Sequence, residues 1–261
     1  MPGRALLWQR WRASALLAAL ALALPAFAQT AAHEPESLPA AQARQEIDPD
    51  SMAARTLACT ACHGREGRAT PQGYYPRIAG KPDGYLYHQL RNFREGRRSY
   101  PQMTHLLQFM SDDYLHEIAQ YFAALDLPHA PPAPAPASAA QRARGQLLVQ
   151  QGDAARDIPA CVQCHGDQLT GVQPFIPGLL GLSRDYLNAQ LGAWQTGQRQ
   201  ALAPDCMERI AQRLSGADVA AITAWLTAQP VPDHGRPAAR LAAPMPLRCG
   251  AVPEALAGGQ P

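Results

Sequence analysis

The 261-residue sequence predicts an all-α protein of two tandem domains. Three observations carry that reading. Apolar residues recur at helical spacing, and no segment alternates convincingly with period two. "YPRIAGKPDGYLYHQLRNFREGRR" (75–98) parallels "IPGLLGLSRDYLNAQLGAWQTGQR" (176–199), and "MSDDYLHEIAQYF" (110–122) parallels "LSGADVAAITAWL" (214–226). Between the copies lies "DLPHAPPAPAPASAA", uncharged after Asp126 and rich in Pro and Ala, the composition of a semi-rigid spacer. Two copies point to duplication; a solenoid would need at least three.

The expected boundaries are 47–126 and 141–230 for the domains, with a linker at 127–140. An N-terminal segment at 29–46 and a tail at 231–261 look poorly ordered. Within the first copy, Leu86, Leu90 and Phe93 fall at i, i+4 and i+7, and Gly96 is placed to end that helix. Ser111 is a good N-cap, followed by Asp112 and Asp113, whose charges suit the positive end of the helix dipole. Leu115, Ile118, Ala119 and Phe122 then form one stripe. The second copy repeats this with Ser215 and with Val219, Ile222 and Leu226. A further helix should lead into each cysteine motif. Segment 64–80 has Gly and Pro without alternation and reads as a loop.

The first residues read as an export signal. Arg4, Arg10 and Arg12 precede an apolar run from Ala13 to Leu24, and Ala26-Phe27-Ala28 matches a small-x-small cleavage site, which assigns residues 1–28 to a signal peptide. The run is too short to span a bilayer comfortably. The alternative is a retained anchor, which would associate the chain peripherally with a membrane. Cleavage takes the formal charge from +2 to −1, a balance that fits no nucleic-acid binder. The expected location is periplasmic, an oxidising compartment in which unpaired thiols are few.

Six cysteines are present. Cys59-x-x-Cys62-His63 and Cys161-x-x-Cys164-His165 each match the attachment signature of haem c. The two thiols of such a motif add to the vinyl groups at one porphyrin edge, and the adjacent histidine is carried beneath the iron. A thioredoxin-like pair would need a βαβ context, which is absent. A shared zinc would need closer knuckles and leaves both histidines without a role. Two covalently bound haem c groups are therefore expected. Each also solves a packing problem, because three short helices bury too little surface to be stable alone.

For the sixth ligand, Met103 lies 40 residues after His63 and Met207 lies 42 after His165. Both stand at the same distance before the residue that precedes the last helix cap, which favours ligation over core filling. Met52 and Met110 have no methionine counterpart and read as packing. His105 is the one competitor, and its counterpart is Arg209. A thioether raises the potential and fills the distal position, so an electron carrier is expected and not an enzyme.

From about residue 50 to 228, these motifs resemble the dihaem cytochrome c4 family. The resemblance implies two class I cytochrome c-like domains, each wrapped around one covalently attached haem. It implies His63/Met103 and His165/Met207 as axial pairs, with Pro76 and Pro177 packing near the histidine side of each ring. It implies redox protein partners: a quinol-oxidising complex as donor and a terminal oxidase as acceptor. "YPQMTHLL", the proline-rich linker, "DCM" at 205–207 and the long tail depart from the family pattern.

Cys206 and Cys249 remain. A disulfide would fasten the tail across the loop bearing Met207. The competing reading makes Cys206 a thiolate ligand in a catalytic dihaem dehydrogenase of the thiosulfate type. A third makes the chain the cytochrome subunit of a periplasmic dehydrogenase. Arg91, Arg94, Arg97 and Arg98 form a basic stripe, read as a solvated face, as a surface for an acidic partner or as counter-charge for haem propionates.

The mature protein is expected to begin at Gln29. Intact-mass measurement of exported protein checks this, and a chain retaining Met1 would identify a membrane anchor instead.

Overall fold

The computed structural model describes residues 48–232 and 235–253. The expected signal peptide, the segment 29–46 and the last eight residues lie outside these. Helices predominate. The first copy holds α1 (Met52–Arg55), α2 (Leu57–His63), α3 (Asp83–Arg94), α4 (Pro101–Leu107) and α5 (Asp112–Ala124). The second holds α6 (Ala139–Gln150), α7 (Val162–His165), α8 (Arg184–Gln195), α9 (Cys206–Ala211) and α10 (Gly216–Leu226). No helix among the described residues is long and apolar enough to cross a membrane.

One detail departs from the sequence expectation. A minimal antiparallel hairpin, β1 (Gly171–Val172) and β2 (Ile176–Pro177), pairs Gly171 with Pro177 and Val172 with Ile176. Two residues per strand are too few for alternation to register. The hairpin is part of the loop after the second cysteine motif and helps place Pro177.

The caps behave as the chemistry dictates. The Ser111 side chain accepts from the Tyr114 N–H, and the Ser215 side chain accepts from the Asp218 N–H while the Asp218 carboxylate reaches back, a full capping box. α3 ends at Glu95, and Gly96 follows at φ 77°, a conformation an L side chain resists.

The stripes face inward. Leu115, Ile118, Ala119 and Phe122 are all buried, and α5 packs on α3, which contributes Leu86 and Phe93 with Leu90 bridging two clusters. Met52 and Met110 pack beside these clusters. In the second copy α10 crosses α6 at Gly145, where a Cβ would fall 2.1 Å from the Ala221 carbonyl oxygen. Leu148 and Val149 of α6 meet Val219, Ile222 and Leu226 there.

The copies join about matching positions. Arg98 and Arg199 form an antiparallel bridge; the Ser99 N–H donates to the Gln198 carbonyl at 3.0 Å and the Gln200 N–H to that of Arg97 at 2.6 Å. The His88 ring stacks on Phe175 at 5.2 Å, and the Tyr85 N–H donates to the Pro174 carbonyl. Arg77 holds the start of the spacer through the carbonyls of Leu127 and Pro128.

The described part of the tail is not loose, which corrects the expectation from its composition. Ala238 bridges Val172, exchanging hydrogen bonds with Gly171 and Gln173, and Cys249 is bonded to Cys206. Its Pro, Gly and Ala content suggests disorder, whereas here a cross-link and strand-like pairing supply the order.

The basic stripe is also not a free cationic face. Glu95 pairs with Arg91, Arg94 and Arg97, Arg94 pairs with Asp112, and Arg98 turns inward and is buried.

Gly145→Ala is expected to cost about 2 kcal/mol or more despite alanine's better helix propensity, because backbone must separate from backbone; denaturant unfolding measures it. Buried Asp218 binds Arg144, Arg156 and Ser215, which hold its carboxyl well below the usual carboxylate range against the cost of burial. Its stabilisation is complete above an unfolded-state value of about 4 and is lost as the pH falls toward the depressed folded value. Asp218→Ala should therefore cost about 2 kcal/mol at neutral pH, and the gap to the wild type should close under acid.

Candidate haem sites

In each copy the cysteine motif ends a helix at its histidine, and the glycine that follows turns the chain away. The loop beyond returns beneath the histidine, fixed by matching bonds. The Ile78 N–H donates to the Gly67 carbonyl at 2.9 Å, and the Leu179 N–H donates to that of Leu169 at 2.8 Å. These returns deliver Pro76 and Pro177. His63 Nδ1 lies 2.8 Å from the Pro76 carbonyl oxygen and His165 Nδ1 lies 2.7 Å from that of Pro177. A carbonyl only accepts, so Nδ1 carries the proton and donates. Nε2 is left as the basic atom, the arrangement in which imidazole binds a metal.

Both imidazoles are buried. Burial pushes their pKa values below the ordinary value, against the proline hydrogen bonds that raise them. Burial likewise pushes the Cys161 thiol up to about 12 and the Cys164 thiol up to about 11. No group of three or more His, Cys, Asp or Glu side chains gathers as metal ligands among the described residues.

The first site opens as a cavity of about 550 Å³ lined mainly by apolar groups. That size suits a flat organic cofactor. Cys59, Cys62, His63, Pro76 and Met103 all line it, and so does His105. The five residues expected from the sequence are thus brought to one space. The second site repeats the motif, the proline clamp and the order of helices. Met207 is placed in α9, which packs on α8 as α4 packs on α3. Cys206 is joined to Cys249 across 43 residues, so its sulfur is committed to that bond and the thiolate-ligand reading does not hold for this form.

The sequence offers the arginine stripe as counter-charge for propionates, but it does not pair Arg98 with Arg199 or reveal the glutamines they share at the joint. Arg98 and Arg199 are both buried, and neither has a carboxylate in ion-pair range among the described residues. They share two glutamines crosswise. Arg98 donates to Gln89 at 3.0 Å and Gln190 at 2.6 Å; Arg199 donates to Gln190 at 2.7 Å and Gln89 at 3.0 Å. Each guanidinium also lies over the aromatic ring of its own copy, Phe93 at 4.4 Å and Trp194 at 3.8 Å. Lys81 joins them on the wall of the first cavity, and burial pushes its ammonium down to about 8. Buried cations normally have anionic partners. Three without one, on the wall of a cavity, fit the carboxylate side chains of a porphyrin. The signal was available: Gln89/Gln190 and Arg98/Arg199 are identical at matching positions of the repeat.

Comparison with known proteins agrees with this geometry. The cytochrome c family model matches residues 52–118. The thiosulfate dehydrogenase electron acceptor of Thiomonas intermedia (strain K12) is 39% identical over 173 residues, covering 66% of this chain and 79% of the relative. Cytochrome c4 of Pseudomonas aeruginosa is 33% identical over 175 residues, 66% of this chain and 84% of the relative. The structure of reduced recombinant cytochrome c4 from Pseudomonas stutzeri superposes with a TM-score of 0.58 at 27% identity, over 69% of this chain and 98% of that one. The chain belongs to the cytochrome c4 family. It is a dihaem c-type cytochrome with covalently bound haem, and its activity is electron transfer.

Proposed function

We propose that Cys59 and Cys62 hold the first haem and Cys161 and Cys164 the second. In this reading His63 and His165 bind iron through Nε2, and Met103 and Met207 supply the opposite ligands. The observation that carries it is the paired clamp, His63 on Pro76 and His165 on Pro177, which leaves one basic nitrogen per copy. Haem supplies a one-electron Fe(III)/Fe(II) couple. The chain's own residues set its properties. The clamped imidazole stays a good donor, the thioether favours the reduced state, and apolar walls exclude water. Arg98, Arg199 and Lys81 would hold porphyrin carboxylates at the joint.

For the partner, the reading is an exported dehydrogenase of the thiosulfate-oxidising type as donor, with a terminal oxidase as acceptor. The 39% identical relative is named for accepting electrons from such an enzyme. A periplasmic location is supported by the Cys206–Cys249 disulfide, which suits an oxidising compartment.

Two haems per chain are expected by pyridine haemochrome. The far-red thioether–iron band of the oxidised protein should fall by half in Met103→Ala and in Met207→Ala, with the potential of the affected haem lowered. Rapid mixing with a reduced thiosulfate dehydrogenase should reduce the protein faster than mixing with a quinol-oxidising complex. The reverse order would assign the donor to the quinol branch.

A further inference from the structure

Met103 and Met207 occupy matching positions, but their supports differ. α4 begins at Pro101, and its cap residue Tyr100 makes no side-chain capping bond to the helix, its hydroxyl meeting that of Tyr75 at 3.5 Å instead. One side-chain bond ties that helix to α3, from Thr104 Oγ1 to the Phe93 carbonyl at 3.2 Å. In the second copy the Asp205 carboxylate gathers four donors. Oδ1 accepts from the N–H groups of Met207 at 3.0 Å and Glu208 at 3.1 Å. Oδ2 accepts from the Ala201 N–H at 2.7 Å and from the indole N–H of buried Trp194 at 3.2 Å. The next residue, Cys206, is cross-linked to Cys249, and the Gly250 N–H donates to the Pro204 carbonyl at 2.9 Å. The same tail is moored at Ala238 to the hairpin that ends in Pro177. One strap therefore touches the segment bearing Met207 and the segment that clamps His165.

We infer that Asp205 and the Cys206–Cys249 bond are positioning residues that hold Met207 in place, so that the second iron keeps its thioether while the first exchanges it. This rests on the assignment of Met103 and Met207 as axial ligands. A thioether is neutral and binds weakly, so its occupancy depends on how little freedom its backbone gives up on binding. Around Met207 that freedom is already spent, through the cap, the indole bond and the cross-link. Around Met103 the ties are the Thr104 bond, the Tyr100–Tyr75 hydroxyl contact and the Arg94 bond to the Met110 carbonyl at 2.7 Å, without a carboxylate cap or a cross-link. The two haems would then differ in their response to an outside ligand although their donor sets are the same.

The test is an imidazole titration of the oxidised dihaem protein, followed by loss of the thioether–iron band. Wild type should lose it in two steps of equal size. Met103→Ala should delete the step at lower imidazole and Met207→Ala the step at higher. Asp205→Asn turns an amide N–H₂ toward N–H donors. It should move the second step to about tenfold lower imidazole and leave the first in place. Cys206→Ala/Cys249→Ala should shift the same step, and it carries the test if Asp205→Asn does not fold. If Met207→Ala keeps the full band, the ligand assignment fails and the inference goes with it. If Met207→Ala halves the band but wild type titrates in a single step, or both support variants titrate as wild type, the inference alone is overturned.

Discussion

The hydrogen bond from each motif histidine to a proline carbonyl, at 2.8 Å in one copy and 2.7 Å in the other, is the constraint on which the rest of the molecule turns. It selects the imidazole tautomer and the ring orientation. To make it, the loop after each cysteine motif must fold back under the helix that ends in histidine. The Ile78–Gly67 and Leu179–Leu169 bonds close those loops, and α3 and α8 follow from the returning chain. Helix packing then builds a wall around the imidazole. The core clusters lie against that wall, which explains how copies with so few helices enclose a cavity of cofactor size.

The second organising feature is electrostatic. Two buried guanidiniums meet at the joint, each shared between the glutamines of both copies and each lying on an aromatic ring of its own. Like charges at close range are costly in a low-dielectric interior, so the protein alone has little reason to assemble this cluster. In the proposed reading the carboxylates of a bound porphyrin would give it one, held by equivalent residues that the two copies bring to the joint.

The copies are nonetheless not equal. The first keeps its methionine helix lightly tethered beside the exposed Phe109. The second carries Asp205, Trp194 and a cross-linked tail around the equivalent helix. A duplicated fold with one braced and one less braced ligand segment can give two chemically similar centres different roles in a relay. Arg91, Arg94 and Arg97 are paired with Glu95 and Asp112, so they do not present a free cationic face.

Much of this was legible in the residues themselves. The cysteine motifs, the helix caps Ser111 and Ser215 and the inward stripes are local patterns, dictated by covalent chemistry and helical period, and such patterns survive in a one-dimensional string. The pairing of Cys206 with Cys249 was legible as an alternative, from an even remainder of thiols. Sequence could not say that Arg98 turns inward while Arg91, Arg94 and Arg97 stay at the surface, because all four share one helical stripe and its continuation. Nor could it say that a Pro/Gly/Ala-rich tail is moored at Ala238 and Cys249, which depends on segments meeting across long separations. The donors to Asp205 lie within 11 residues of it, but only the packed turn before α9 aims them at one carboxylate.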